Sequence, residues 1–402
     1  MGGRGRLHGV RDGERDPDRF ETGEVAVLGT AHAVHDTYTA FLSPLIPELM
    51  RRLALNRAEG GLLTVFLQAP SLLQPVIGHA GDRRDLRWLV ALAPALTAAA
   101  MCWLPLAPGF PAAAALLVAA GLSAAALHAL APPIAGRLSG PSLGRGMGFW
   151  MVGGELGRAL GPVIVVSALG LFGAAGTPWL MLGGAATSAL LLREARRWPR
   201  PEAVRNGGGS HEGFFEGVGA LRSLLLPLAG LIATRSFLMA ASTTFLPLFL
   251  REQGASLWLS GAALSILEAA GVAGALTGGT LSDRFGRRKV LAGSLAGGAL
   301  LLTAMVLSTG TVRLLVLPFL GLVTLSLSPV LMAVVQEADP SRRALANGLY
   351  MALGFTVRSL VVVAVGAAAD RFGMVPTFLA CAAMGLFGIP FVLRLPRPAR
   401  VE

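Results

Sequence analysis

Ionisable side chains inside long apolar runs are the residues of this sequence that could do chemistry. The first run holds His32 and Asp36 one helical turn apart, and Thr39 and Ser43 continue the same helix face. A charged group in the middle of a membrane costs a few kcal/mol or more, so each one needs a partner or a function. We therefore predict that Asp36 is a protonatable carboxylate facing a cavity, with His32 or an arginine as its partner. The alternative is a structural pair that locks two helices together.

Further charged residues lie in apolar runs later in the chain. Glu155 and Arg158 are three residues apart, a spacing at which they should neutralise one another on one helix. Glu268 could instead bridge to Arg158 or Arg358 across a helix interface, or carry the proton in place of the first carboxylate. Glu155 is a further candidate for that role. Arg158 and Arg358 are thus predicted to be interface charges.

The elements that must position these groups are membrane helices. Hydrophobic residues make up 53% of the 402 residues and charged ones 14%, about half of the charged fraction of soluble proteins. Twelve apolar runs reach about 20 residues, the length that spans a bilayer as a helix. They lie near 24–50, 59–80, 87–107, 111–135, 146–172, 176–193, 223–250, 257–281, 289–309, 312–336, 344–369 and 375–394.

An internal repeat divides the chain into two similar halves. Two groups of residues recur about half the chain length apart, which indicates parallel repeats of six spans. The aligned sets are Gly78, Asp82 and Arg83 with Gly279, Asp283 and Arg284, and Gly148, Trp150, Gly154 and Arg158 with Gly348, Tyr350, Gly354 and Arg358. The predicted fold is an all-α membrane protein with twelve transmembrane helices in two pseudo-symmetric six-helix bundles. Its parts are an N-terminal tail (1–23), an N-terminal bundle (24–193), a linker (194–222), a C-terminal bundle (223–394) and a C-terminal tail (395–402).

The distribution of basic residues predicts the orientation in the membrane. Of the 34 lysine and arginine residues, 25 fall in the tails and loops of one side, and such a bias marks the cytoplasmic face. Both tails and the linker, with its glycine-rich stretch at 207–210, are then cytoplasmic. Residues 1–22 contain no apolar segment, so the first span is expected to be an uncleaved insertion signal.

Two copies of a loop motif resemble the signature of the major facilitator superfamily. The copy after the eighth run is complete, and the copy after the second run is degraded, with Asp85 where Gly286 would be. The resemblance implies a role in gating, and the alternative is a topology signal only. The residues concerned are Gly78, Asp82, Arg83, Gly279, Asp283, Arg284, Gly286, Arg287 and Arg288.

The first run more narrowly resembles the fosmidomycin-resistance-like drug efflux branch of that superfamily. In that branch a His, a following Asp and Tyr, and two downstream prolines recur, and His128 sits where the branch has a His-Pro pair. Since His35 faces away from the aspartate on a helical wheel, it could instead be a helix-packing donor. The side chains predicted to contact substrate are His32, His35, Tyr38, His128 and Arg235.

The fifth run is similar to a glycine-rich motif typical of proton-coupled antiporters. Gly153, Gly157 and Gly161 form one stripe before Pro162, which predicts a close helix contact. We expect this stripe at the interface at which the two bundles rock.

The predicted function is a secondary active transporter that exports a small amphiphilic or anionic compound in exchange for protons, by alternating access. The alternatives are a proton symporter that imports a sugar or metabolite, and a non-transporting membrane sensor. The expected partners are the substrate, protons and the lipid of a bacterial cytoplasmic membrane, and we expect a monomer.

Several other classes of function are disfavoured. The only lysine, Lys289, follows Arg288, so the chain has no Walker A motif for nucleotide binding. Cys102 and Cys381 both lie in apolar runs without metal-ligand spacing. We therefore expect no enzymatic activity, cofactor, metal or nucleic-acid partner.

Overall fold

Every regular element of the described chain is helical. The computed structural model describes residues 19–201, Val204 and residues 213–396. Residues 1–18 of the predicted N-terminal tail (1–23), residues 397–402 of the predicted C-terminal tail (395–402) and the glycine-rich part of the linker lie outside the described residues. The α-helices, in chain order, are α1 Thr22–Thr39, α2 Leu42–Leu53, α3 Arg57–Gln68, α4 Gln74–Arg83, α5 Arg87–Trp103, α6 Phe110–Leu138, α7 Leu143–Gly176, α8 Met181–Glu194, α9 Phe214–Ala220, α10 Arg222–Met239, α11 Leu246–Glu252, α12 Leu257–Phe285, α13 Arg287–Leu307, α14 Gly310–Leu325, α15 Leu327–Ala338, α16 Arg343–Phe372, α17 Met374–Leu386 and α18 Ile389–Arg394.

Ten helical segments of the described residues are long and apolar enough to cross a membrane. One of them, Leu143–Glu194, has 52 residues, more than twice the ~20 that span a bilayer. Gly173 interrupts it with φ +65°, so its length accommodates two crossings. The segment formed by α1 and α2 is not among the ten. The all-helical membrane fold is confirmed, and the number of twelve crossings stays a prediction.

Two predicted spans are broken at their middle, in equivalent places of the two halves. The first changes from α1 to α2 around Ala40, and the seventh passes through a π-helical turn, Ala240–Thr244, before α11. Pro44 and Pro247 follow these breaks. Because a proline has no backbone N–H and its ring clashes with the preceding turn, it favours the interruption of a helix just before it.

The two halves meet along helices that belong to different repeats. Within the first half α1 packs on α7 and α5 on α8, and within the second α12 packs on α14 and α13 on α17. Between the halves, α4 packs on α16 and α7 on α12. These contacts lie at the end of the molecule that carries the α4–α5 and α12–α13 turns, which we call the basic end.

The glycine stripe of α7 packs inside the first half, and this corrects its predicted place between the bundles. A Cβ atom on Gly153 would lie 2.1 Å from the Gly29 carbonyl oxygen of α1, and one on Gly157 would lie 2.3 Å from that of Ala33. Gly161 approaches Thr37 in the same way, at 2.4 Å. Since each successive glycine meets α1 one turn further on, the stripe fixes the distance between α1 and α7.

Candidate functional site

A cavity of about 690 Å³ lies between the two halves. Its wall is formed by α1, α2, α3, α4, α6 and α7 of the first half and by α10, α15 and α16 of the second. Arg158 and Arg358, which were predicted to be interface charges, therefore line the cavity. Six of the predicted site residues share this wall: His32, Asp36, His128, Arg158, Arg235 and Arg358.

Asp36 is the centre of a buried charge cluster in this wall. Its residue surface is 3% exposed, and Arg158 Nη1 on α7 donates to its Oδ2 atom at 3.0 Å. Three histidine nitrogens surround the same carboxylate: His32 Nε2 at 3.3 Å, His35 Nδ1 at 3.0 Å and His128 Nε2 at 3.6 Å. Asp36 was predicted to have His32 or an arginine as its partner. In the structure it has both.

The histidine contacts require more protons than neutral rings supply. His32 Nδ1 lies 2.8 Å from the Trp150 carbonyl oxygen, and His128 Nδ1 lies 2.8 Å from that of Ala124. A carbonyl oxygen can only accept, so each Nδ1 atom carries the ring hydrogen and each Nε2 atom presents a lone pair. These two Nε2 atoms are nevertheless 3.1 Å apart. A hydrogen bond between them needs one additional proton.

His35 is joined to the same cluster from the buried side. Thr97 Oγ1 donates to Ser123 Oγ, which donates to the Ala93 carbonyl oxygen, so Thr97 can only accept from His35 Nε2 at 3.0 Å. His35 is 0% exposed and does not line the cavity. The expected substrate contact is therefore replaced by a contact with Asp36, although the helical wheel points the two residues apart.

Tyr38 and Glu268 also lie outside the cavity wall. The Tyr38 hydroxyl is buried and donates to the Leu180 carbonyl oxygen at 2.7 Å, which corrects the predicted substrate contact. Glu268 is exposed, and among the described residues it makes no ion pair within 4.0 Å, so the bridge to Arg158 or Arg358 is not formed. Arg158 Nη2 instead lies 2.5 Å from Glu155 Oε1, as the i, i+3 spacing predicts.

At the basic end, one aspartate of each half caps a helix of the other half. Asp82 on α4 accepts hydrogen bonds from the backbone N–H groups of Ala344 and Leu345 at 2.9 and 2.8 Å, in the first turn of α16. Asp283 on α12 accepts from those of Gly144 and Arg145 at 2.8 and 2.9 Å, in the first turn of α7. A carboxylate at a helix N-terminus is stabilised by the helix dipole, so both contacts hold the halves together.

Two glycines of the loop motif allow the halves to approach closely. A Cβ atom on Gly78 would lie 2.1 Å from the Ala344 carbonyl oxygen, and one on Gly279 would lie 2.1 Å from that of Gly144. Both glycines lie within helices, and only Gly286, with φ +93°, makes the turn.

The corresponding turn of the first half is held by an ion pair instead of a glycine. Arg87 donates to both carboxylate oxygens of Asp85 at 2.7 Å, and these hydrogen bonds lower the pKa of the Asp85 carboxyl below its ordinary value.

The arginines of the motif have separate partners. Arg287 Nη1 lies 2.6 Å from Asp283 Oδ1 and its Nη2 atom 2.6 Å from Glu337 Oε1. Arg288 donates to the Leu395 carbonyl oxygen, and Arg284 lies over the Phe285 ring at 5.4 Å. Arg83 is partly buried beside Asp82.

Trp150 is a site residue that the sequence analysis did not identify. Its ring stacks on that of His32 with 3.8 Å between centroids, and its carbonyl oxygen orients the same imidazole. Both Trp150 and its repeat mate Tyr350 line the cavity. The repeat alignment was therefore the signal that could have identified them.

The cluster also has donor atoms close enough to hold a metal ion. One atom each of His32, Asp36 and His128 lies within 4.8 Å of the others. The Arg158 guanidinium already brings a positive charge to this carboxylate at 3.0 Å.

Comparisons with known proteins place the chain among membrane transporters. The model of the Major Facilitator Superfamily matches residues 28–361 and 270–402. The chain is 24% identical to the Fosmidomycin resistance protein of Escherichia coli (strain K12) over 379 residues, 92% of each chain. It is 26% identical to the uncharacterized MFS-type transporter YfnC of Bacillus subtilis (strain 168) over 370 residues, 90% of each. The E. coli fucose:proton symporter FucP, in the outward conformation, has a similar fold with TM-score 0.73 at 14% identity, over 94% of this chain and 100% of that one.

Proposed function

Because this chain belongs to the major facilitator superfamily, we propose that it exports a small amphiphilic or anionic compound in exchange for protons. It is a multi-pass membrane transporter and not an enzyme. The proposed location is the bacterial cytoplasmic membrane. The bundles at 24–193 and 223–394 would span this membrane, and the basic end would face the cytoplasm. The name of the E. coli relative supports export of a toxic compound.

The observation that carries the proton coupling is the cluster around Asp36. Its three histidines, Asp36 and Arg158 form hydrogen-bonding contacts that neutral rings cannot satisfy without extra protons. The charged groups that face Asp36 come from α1, α6 and α7, and Glu155 shares its arginine. A proton arriving from the cavity would weaken the bond between Asp36 and Arg158 and so change the contact of α1 with α7.

The shape of the molecule supports alternating access. The halves are in contact at the basic end, and the cavity lies beyond this closed seam. With the basic end in the cytoplasm, this is an outward-facing state. The loop residues proposed to gate the exit are Gly78, Asp82, Arg83, Gly279, Asp283, Arg284, Gly286, Arg287 and Arg288. Asp82 and Asp283 form hydrogen bonds across the seam, and Gly78 and Gly279 lie where the halves approach most closely.

Export and proton coupling are tested together in proteoliposomes with a pH gradient. Asp36→Asn should abolish transport driven by the pH gradient and leave the amount of folded protein unchanged, because asparagine keeps the shape but cannot exchange a proton. Glu268→Gln is the matched control, since this carboxylate lies outside the cavity wall, and it should retain transport. The direction of the gradient that drives accumulation distinguishes an exporter from an importer.

Two outcomes would contradict the proposal. If Asp36→Asn retains transport driven by the pH gradient and Glu268→Gln loses it, the proton is carried by Glu268. If neither variant changes substrate flux and the flux does not depend on the pH gradient, the protein does not couple transport to protons.

A further inference from the structure

Two arginines of the second half face the cavity without an acidic partner, and we infer that they form a subsite for the headgroup of an amphiphilic oxyanion. Arg235 on α10 and Arg358 on α16 both line the cavity. Among the described residues, no carboxylate lies within 4.0 Å of either guanidinium. Arg235 donates to the Ser328 hydroxyl, and its buried Nε atom has no hydrogen-bond partner.

The charges of the cavity are divided between the two halves. On the first half, Arg158 is shared by two carboxylates, at 3.0 Å from Asp36 and 2.5 Å from Glu155. On the second half, the positive charges of Arg235 and Arg158 repel Arg358, and Glu155 attracts it to a smaller extent without forming an ion pair. Uncompensated charge at membrane depth is costly, so this wall favours an anion that approaches both guanidinium groups.

The chemistry of a guanidinium narrows the headgroup further. Its planar N–H groups bind two oxygens of a carboxylate or a phosphate in parallel, which a single hydroxyl or a neutral amide cannot match. The free Nε atom of Arg235 lies in the same fork as its terminal nitrogens. The headgroup is therefore a phosphate-like or carboxylate-like oxyanion.

The rest of the same wall is apolar. Ile232, Met239, Met332, Met351 and Phe355 line the cavity beside the two arginines. Methionine side chains are flexible and adapt to apolar groups of different shape. The ligand therefore carries a short apolar chain in addition to its charged headgroup, and about 690 Å³ of space is available for it.

Arg358 thereby receives a role different from the bridge to Glu268 that the sequence analysis considered. This assignment rests on the proposed function, because it takes the cavity as the substrate site. Proton coupling belongs to the cluster on the first half, and headgroup binding belongs to the second half. The two can therefore fail separately.

The subsite is tested by equilibrium binding of labelled hexyl phosphate to the purified full chain in detergent, at neutral pH. Hexyltrimethylammonium, with the same chain and the opposite charge, is the comparison probe. Arg358→Gln and Arg235→Gln should each weaken the binding of hexyl phosphate by about tenfold or more, the loss typical of a hydrogen bond to a charged group. Arg358→Lys should lie between wild type and Arg358→Gln, because lysine keeps the charge but not the fork.

Arg371→Gln is the matched control, since Arg371 is an exposed arginine of the same helix outside the cavity, and it should bind as wild type does. Equal binding of both probes, no binding of hexyl phosphate to wild type, or unchanged binding in Arg358→Gln would each overturn the subsite.

Asp36→Asn separates the proposal of the subsite from the proposal of proton coupling. If it retains hexyl phosphate binding and loses transport driven by the pH gradient, both stand, and if transport continues, only the proton-coupling proposal fails.

Discussion

Asp36 and Arg358 are charges in opposite situations within one cavity. The Asp36 carboxylate is buried and is contacted by Arg158 and by three histidines from two helices. The Arg358 guanidinium is exposed to the cavity, is repelled by Arg235 and Arg158, and is attracted by Glu155 to a smaller extent. Removal of one partner of a buried ion pair costs about 3–5 kcal/mol, because the other charge stays buried and uncompensated. Among the described residues Arg358 forms no ion pair within 4.0 Å, so its removal leaves no buried partner without a counter-charge.

Arg158→Gln and Arg358→Gln should therefore change the stability of the protein in different ways. The Arg158 side chain is 48% exposed, so water compensates part of the loss, and we expect a decrease of about 1–3 kcal/mol, below the cost of a fully buried pair. Arg358→Gln should leave the stability unchanged or increase it. Thermal unfolding of the purified variants in one detergent measures both. An equal decrease in the two variants would contradict the contrast in charge environment.

At the scale of the residue, the sequence predicts what chemistry a side chain can do better than it predicts which residues that side chain contacts. The i, i+4 spacing on one helix predicted the contact of Asp36 with His32, and i, i+3 predicted that of Glu155 with Arg158. The contact between Arg158 and Asp36 joins residues 122 positions apart, which no spacing rule reaches. His35 was placed away from the aspartate because a helical wheel describes the direction of Cβ and not the reach of the side chain.

At the scale of the elements, the contact between α1 and α7 sets the geometry of the charge cluster around Asp36. Gly157 lies where a Cβ atom would be 2.3 Å from the Ala33 carbonyl oxygen and 2.9 Å from Asp36 Cβ. The helices can therefore approach only if this position has no side chain. The separation of Asp36 from Arg158 depends on the same approach, since one residue lies on each helix.

Gly157→Val should push α1 away from α7 and disrupt both folding stability and proton coupling. Overpacking of a tight contact typically costs 1–3 kcal/mol, and here the clash is with backbone, so we expect a loss at the upper end, about 3 kcal/mol. Gly170→Val on the same helix is the control, because nothing lies within 4 Å of a Cβ atom there. Thermal unfolding and transport assays compare the two. If the two variants behave alike, the stripe does not set the distance between the helices.

The positions of the helices along the chain could largely be predicted from the sequence. Which helices pack against one another could not. Runs of apolar residues marked where the helices lie, and Pro44 and Pro247 follow the breaks in the first and seventh spans. The glycine stripe of α7 was correctly predicted to make a close helix contact. It was assigned to the wrong partner, because small residues permit an approach by any helix and do not identify which one.

At the scale of the whole molecule, the two halves are related by the internal repeat, and their caps lie at one end of the molecule, the basic end. The repeat of the loop motif predicted equivalent positions for Asp82 and Asp283, and each caps a helix of the opposite half at the basic end. That the caps cross between halves could not be predicted, since a motif shows what a residue can bind and not which chain segment is close. Both caps hold the halves together at the basic end, so we expect their contacts to decide whether the cavity opens at that end.

Gly279→Leu should open this seam. A side chain at Gly279 would collide with the Gly144 carbonyl oxygen of the other half, 2.1 Å from the Cβ position. A clash of about 3 kcal/mol in the closed state would change the ratio of closed to open molecules by about a hundredfold. A cysteine at Ala344, which is 2% exposed and lies at the second contact of the seam, where Gly78 approaches α16, reports the opening in a background without Cys102 and Cys381. Its reaction with a maleimide should be much faster in Gly279→Leu than in Gly293→Leu, where a Cβ atom meets nothing within 4 Å. Equal rates would mean that the contact of Gly279 with Gly144 does not hold the basic end closed.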